Sequence, residues 1–87
     1  MNTIPNEAIQ NISKVIFLHT VDNFNHLYAH MEYRDQEEDV QAACAAGGFT
    51  TKIVETDHAT LMRIDHEDKA ELQSLIDWLD ALEKERG

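Results

Sequence analysis

The chain has 87 residues, enough for one domain over residues 1–87 and too few for a second core. Seven Lys and Arg stand against 17 Asp and Glu, a formal net charge of −10. Such a surface repels nucleic acid, which is held through Lys and Arg contacts to phosphate, and repels anionic membranes for the same reason.

The hydrophobic fraction of 43% is slightly below that of ordinary globular domains, but the apolar residues are patterned, so a folded domain is expected. Cys44 is the only cysteine and can form no internal disulfide, whereas a small secreted domain usually holds several. The stretch Met1 to Gln10 lacks a positive cluster followed by an apolar run, so no signal peptide is expected. No apolar run approaches the roughly 20 residues that span a bilayer. A soluble protein of the cytoplasm is the expectation.

Ala8, Ile9, Ile12, Val15 and Ile16 recur at three- and four-residue intervals and predict a first helix, with Pro5 ahead of it where a helix tolerates proline. The run Val15-Ile16-Phe17-Leu18 is open to two readings. It is either the end of that helix or part of a buried strand over Lys14 to Val21, and periodicity does not separate them; the branched residues favour the strand. Asp22 reads as an N-cap, and Phe24, Leu27, Tyr28 and Met31 follow at the i, i+3, i+4, i+7 spacing of one helix face. Asp35 and Glu38 resemble a capping box ahead of Val40, Ala43 and Cys44, so the helix kinks or restarts near Arg34-Asp35. Gly47-Gly48 ends it.

Phe49 to Thr56 and Ala59 to Ile64 are rich in Thr, Ile and Val and flank Asp57-His58, which predicts a β-hairpin over about 49–64. Asp65 then caps a long amphipathic helix over about 66–85, with Leu72, Leu75, Ile76, Leu79 and Leu82 buried and Trp78 beside them. The predicted fold is α+β, a two- or three-stranded antiparallel or mixed sheet covered by helices. With the first strand present the order is α-β-α-β-β-α, with a right-handed parallel crossover.

His26 and His30 are four residues apart, with Asp22 four residues earlier, so on a helix all three share one stripe and both imidazoles can hold one metal. His58 and His66, at the ends of the hairpin, are candidates to complete such a site. The pattern lacks a Glu after the first His, where Leu27 stands, so it is not a helical metalloprotease motif. Histidines on a polar helix face are commonly ordinary, so no metal site is expected. Cys44 lies among alanines late in a helix, where neither neighbours nor dipole favour a thiolate, and reads as a small buried hydrophobe. There is no phosphate-cradling glycine loop and no nucleophile elbow, and no pair of carboxylates is singled out as acid and base. No enzyme, no catalytic residue and no cofactor is therefore expected, and a metal-binding or catalytic role for His26 and His30 is the alternative.

The acids carry the stronger indication. Glu32, Asp35, Glu37, Glu38 and Asp39 form one cluster, and Asp65, Glu67, Asp68, Glu71, Asp77, Asp80, Glu83 and Glu85 line the last helix. Asp77, Asp80 and Glu83 step by three residues, about 4.5 Å of helix rise, while phosphates on a duplex strand are about 3.4 Å apart along the axis. An acidic helix face can thus imitate a phosphate track, although acids early in a helix are also explained by its dipole and the rest by solvation. The reading is a non-enzymatic acidic protein-binding module, a nucleic-acid mimic, phage anti-defence inhibitor, antitoxin or immunity protein, that occludes a basic surface of a partner. Glu37, Glu38, Asp39, Asp77, Asp80 and Glu83 are the expected contacts. Direct nucleic-acid or membrane binding is not expected. Tyr28, Tyr33 and Trp78 suit core margins or interfaces, and so small a core would also suit a homodimer through a sheet edge or the last helix.

Overall fold

The computed structural model describes residues 6–16, 18–22, 26–31 and 35–86, with Asp35 and Arg86 described by backbone alone. Helix α1 (Glu7–Val15) begins at Asn6, whose side chain accepts the Ile9 amide at 2.9 Å, one of the four donors a helix start leaves unpaired. Glu7 in its first turn and Lys14 in its last complement the helix dipole. Its Ile9 and Ile12 are buried, and so is Ile16 just past its end.

Strands β1 (His19–Val21) and β2 (Leu27–Met31) follow, then helix α2 (Asp35–Ala46), strands β3 (Thr50–Glu55) and β4 (Thr60–Asp65), and helix α3 (Lys69–Arg86). The architecture is α+β: three helices and one four-stranded antiparallel sheet in the order β1-β2-β4-β3. After α1 the chain runs twice through the same sequence of elements, hairpin then helix, and the second strands of the two hairpins meet in the middle, where Ala29 faces Met62. Nothing in the sequence repeats to announce this. Every adjacent pair is antiparallel, so the predicted parallel crossover between neighbouring strands does not occur.

The largest correction is at residues 22–31. The helix expected after Asp22 is contradicted over Leu27–Met31, which form the central strand β2. Leu27, Ala29 and Met31 alternate into the core and pair with Ile64, Met62 and Thr60. Phe24, which completed the helical spacing, lies outside the described residues, as do Pro5, Phe17, Glu32, Tyr33 and Arg34. Asp22 caps no helix: its carboxylate accepts the His26 amide across the turn at 2.9 Å. The first ambiguous run divides between the two readings. Lys14 and Val15 are helical, and only residues 19–21 are strand.

Helix α2 closes in a Schellman motif. The Phe49 amide donates to the Cys44 carbonyl at 2.9 Å and the Gly48 amide to the Ala45 carbonyl at 3.1 Å, with Gly48 at φ 82°. The side chain of Asp35, one half of the expected capping box, is not among those described. The hairpin β3–β4 turns where expected, over Asp57-His58. The Thr56 hydroxyl holds the turn by accepting the Ala59 amide at 3.0 Å and donating to the Ala59 carbonyl at 2.9 Å. Asp65 does not cap α3. It ends β4 opposite Thr50, and Asp68 is the cap, its carboxylate accepting the Ala70 amide at 3.0 Å.

Inward residues of the strands and of all three helices form a single core cluster, with Leu27, Val40, Cys44, Met62, Ile64 and Leu75 fully buried. Leu72, Ile76 and Leu79 join it, whereas Leu82, expected in the core, is only half-buried near the end of α3. Trp78 is half-buried against the cluster, and its indole Nε1 is buried without a hydrogen-bond partner among the described residues. The helices thus cover one face of the sheet. The other face, by strand alternation, presents Thr20, Tyr28, His30, Leu61, Arg63, Lys52 and Val54.

Candidate functional site

The six carboxylates singled out in the sequence all lie on α2 and α3. Glu37, Glu38 and Asp39 occupy the first turns of α2, with Glu37 half-buried and the other two exposed. Asp77, Asp80 and Glu83 are exposed on α3. Across these three the helix rises about 9 Å and turns through about a third of a circle, so they wind around the helix instead of forming a straight row. Asp77 accepts from Gln73 at 2.9 Å, while Asp80 and Glu83 lean toward the edge strand β1. No described contact joins the α2 trio to the α3 trio.

Among the described residues, none of these six carboxylates is within ion-pair distance of a Lys or Arg. Even Lys84, four residues after Asp80 and well placed for a helical ion pair, is not engaged. Among the described residues, the Lys and Arg pairing converges on one acid. Asp65 meets Lys69 at 2.8 Å and Arg63 at 3.6 Å. Its carboxyl is held below the usual range mainly by the Lys69 hydrogen bond; burial opposes this, and the His66 amide and the charges of Lys69 and Arg63 reinforce it.

Two of the chain's seven cations, Lys52 and Arg63, face each other across β3 and β4 on the uncovered side of the sheet. Like charges directly opposite are unfavourable, and Arg63 is relieved by Asp65. Among the described residues the molecule is therefore two-sided: acids without a Lys or Arg partner on its helices, and this cation pair on the sheet face turned away from them.

No family model matches the chain, and no curated protein or solved structure is similar to it.

The His26 and His30 arrangement does not survive the change from helix to strand. His30 is on β2 and His26 just precedes it, and four residues of extended chain span about 13 Å, roughly twice the rise over one helical turn, so the helical stripe that was to bring the two rings together is absent. His26 Nε2 instead lies 3.2 Å from the Arg63 guanidinium, which can only donate, and Nδ1 lies 3.4 Å from Asp22. His58 is in the hairpin turn and His66 is past the far end of β4, six residues of strand away. His66 Nδ1 accepts the Asp68 amide, and its ring packs edge-on against Phe49 with centroids 4.7 Å apart. Cys44 is fully buried, and loss of water pushes its thiol up to about 12, so it is no nucleophile at neutral pH.

His19 is the residue that sequence reasoning passed over. It sits on β1 opposite Ala29, on the covered side of the sheet, and its side chain is only 7% exposed. Its Nε2 meets Asp80 Oδ1 at 2.9 Å and Glu83 Oε2 at 3.9 Å. Nothing at short range in the sequence signals this, because the partners are 61 residues or more apart.

Proposed function

We propose that this protein is a non-enzymatic binding module of the cytoplasm whose acidic helices engage a basic surface of a partner protein and occlude it. The supporting observation is that Glu37, Glu38, Asp39, Asp77, Asp80 and Glu83 have no Lys or Arg partner among the described residues. Carboxylates already paired within the fold would have little charge to offer; these have most of theirs. The partner that suits them best is a protein with a groove for nucleic acid or another polyanion, so inhibition by mimicry of phosphate is the mechanism. The summed field of α2 and α3 steers the encounter, and the groove is then blocked by the helices. The acidic surface gives the protein itself no means of holding nucleic acid.

The test begins with a pull-down from the native host to identify the partner, followed by competition with excess nucleic acid. Nucleic acid should displace the protein, and binding should weaken as salt rises, because exposed charges are screened beyond about 8–10 Å near physiological ionic strength. Reversing Asp77, Asp80 and Glu83 to Lys should slow association by about tenfold or more, far more than it changes folding, where the His19–Asp80 and Gln73–Asp77 contacts are lost, since exposed charges act mainly on the on-rate. A partner whose contact surface is neutral or acidic, or binding indifferent to salt and to the triple reversal, would rule the mechanism out.

A further inference from the structure

The fold assembles one group of ligand-type side chains from strand β1 and helix α3, which are more than 60 residues apart along the chain at this contact. His19, Asp80 and Glu83 place a ring nitrogen and two carboxylate oxygens all within 4.8 Å of one another, the one such group among the described residues. Its members play different parts. The carboxylates project from α3 at i and i+3, 51% and 71% exposed, and are free to adjust. The imidazole is fixed. A histidine on an edge strand ordinarily reaches into water, but this one is more than nine-tenths buried and turns its Nε2 onto the two acids.

We infer that His19, Asp80 and Glu83 form a binding site for a divalent first-row cation, with zinc the ion best suited to it. Imidazole and carboxylate are borderline and hard donors of the kind zinc accepts, at about 2.0–2.2 Å. Ligands at that distance from a tetrahedral ion stand roughly 3.3–3.6 Å from one another. The present separations of 2.9 and 3.9 Å from Nε2 bracket that value, the two carboxylate oxygens lie within 4.8 Å of each other, and both carboxylates are on exposed side chains that can rotate to close on an ion. Three protein ligands leave the fourth position to water. For Nε2 to bind the ion, any proton it shares with Asp80 moves to Nδ1 or leaves to solvent, so uptake weakens as pH falls. The acids supply two negative charges, held near each other with no Lys or Arg beside them among the described residues, and the ion relieves that repulsion. It also ties the short strand β1 to α3, which stabilises the folded form in proportion to occupancy.

This site does not depend on any protein partner and is tested without one. Untagged full-length protein is titrated with zinc by calorimetry, alongside His19→Ala and the double variant Asp80→Asn/Glu83→Gln. One equivalent should bind, raising the melting temperature. Each variant should weaken binding at least as much as losing an outer hydrogen-bond partner of a metal ligand does, about 10–100-fold. Absence of zinc binding to the parent overturns the inference, and so does unchanged affinity in both variants, which would move the ion to another histidine. If His19→Ala fails to fold, the exposed double variant decides alone, because neither of its substitutions removes packing from the core.

Discussion

Leu79→Ala should cost about 2–5 kcal/mol of stability, the range for removing a buried leucine side chain from a close-packed core. Leu79 is 2% exposed and stands with Leu72, Leu75 and Ile76 on the stripe that α3 lays over the sheet. A chain of 87 residues has about 4–13 kcal/mol in total, so the variant loses a large part of it. Each kcal/mol lowers the melting temperature of a domain this size by about 4–8 °C. Leu82→Ala is the internal control. It belongs to the same sequence pattern but is only half-buried, so it should cost clearly less. Thermal and urea melts measure both. A Leu79→Ala protein that melts like its parent, or a Leu82→Ala protein that is hit as hard, would mean that α3 faces the core differently.

Gly47→Ala should be the most damaging substitution by a single methyl group. A Cβ at this position would lie 2.8 Å from the Ala8 Cβ and 3.1 Å from the Phe49 ring, so the end of α2 and the start of α1 must part. Overpacking of this kind costs about 1–3 kcal/mol. The cause is distinctive, and so is its cure. Ala8→Gly removes the atom in the way, and the double variant should recover much of the loss, a coupling that a double-mutant cycle measures. Gly48→Ala adds the same methyl with no clash under 3.4 Å, and its cost comes from φ 82°, about 1–2 kcal/mol. Ala8→Gly should not rescue it. Equal rescue of both glycine variants would show that helix contact is not what Gly47 protects.

The elements that were legible in the sequence are those decided locally. The three- and four-residue rhythm of Leu72, Leu75, Ile76 and Leu79, and the Thr- and Ile-rich runs either side of Asp57-His58, belong to helix α3 and hairpin β3–β4, whose partners are at most 15 residues apart. Strand β2 was misread because Leu27 and Met31 fit both periods: four apart, they share a helix face and also a strand face. What decides between them is β4, more than 30 residues away, where Met62 and Ile64 supply partners for Ala29 and Leu27. The cap of α3 was misplaced for a related reason. Asp65 and Asp68 are both suitable residues, and pairing with β3 keeps Asp65 in the strand. At the candidate site, the carboxylates could be named from composition, but the lack of a Lys or Arg partner among the described residues and the approach of His19 are properties of the folded surface alone.

A four-stranded open sheet has two free borders, and each is a template on which a further strand can grow. Here one border is β1, only three residues long, and the other is β3, six residues with Lys52 near its middle. A short rim and a charged one both discourage added strands. The −10 charge works in the same direction, since every copy repels every other. Whatever the acids do for a partner, the same charge opposes the approach of a second copy to either border of the sheet.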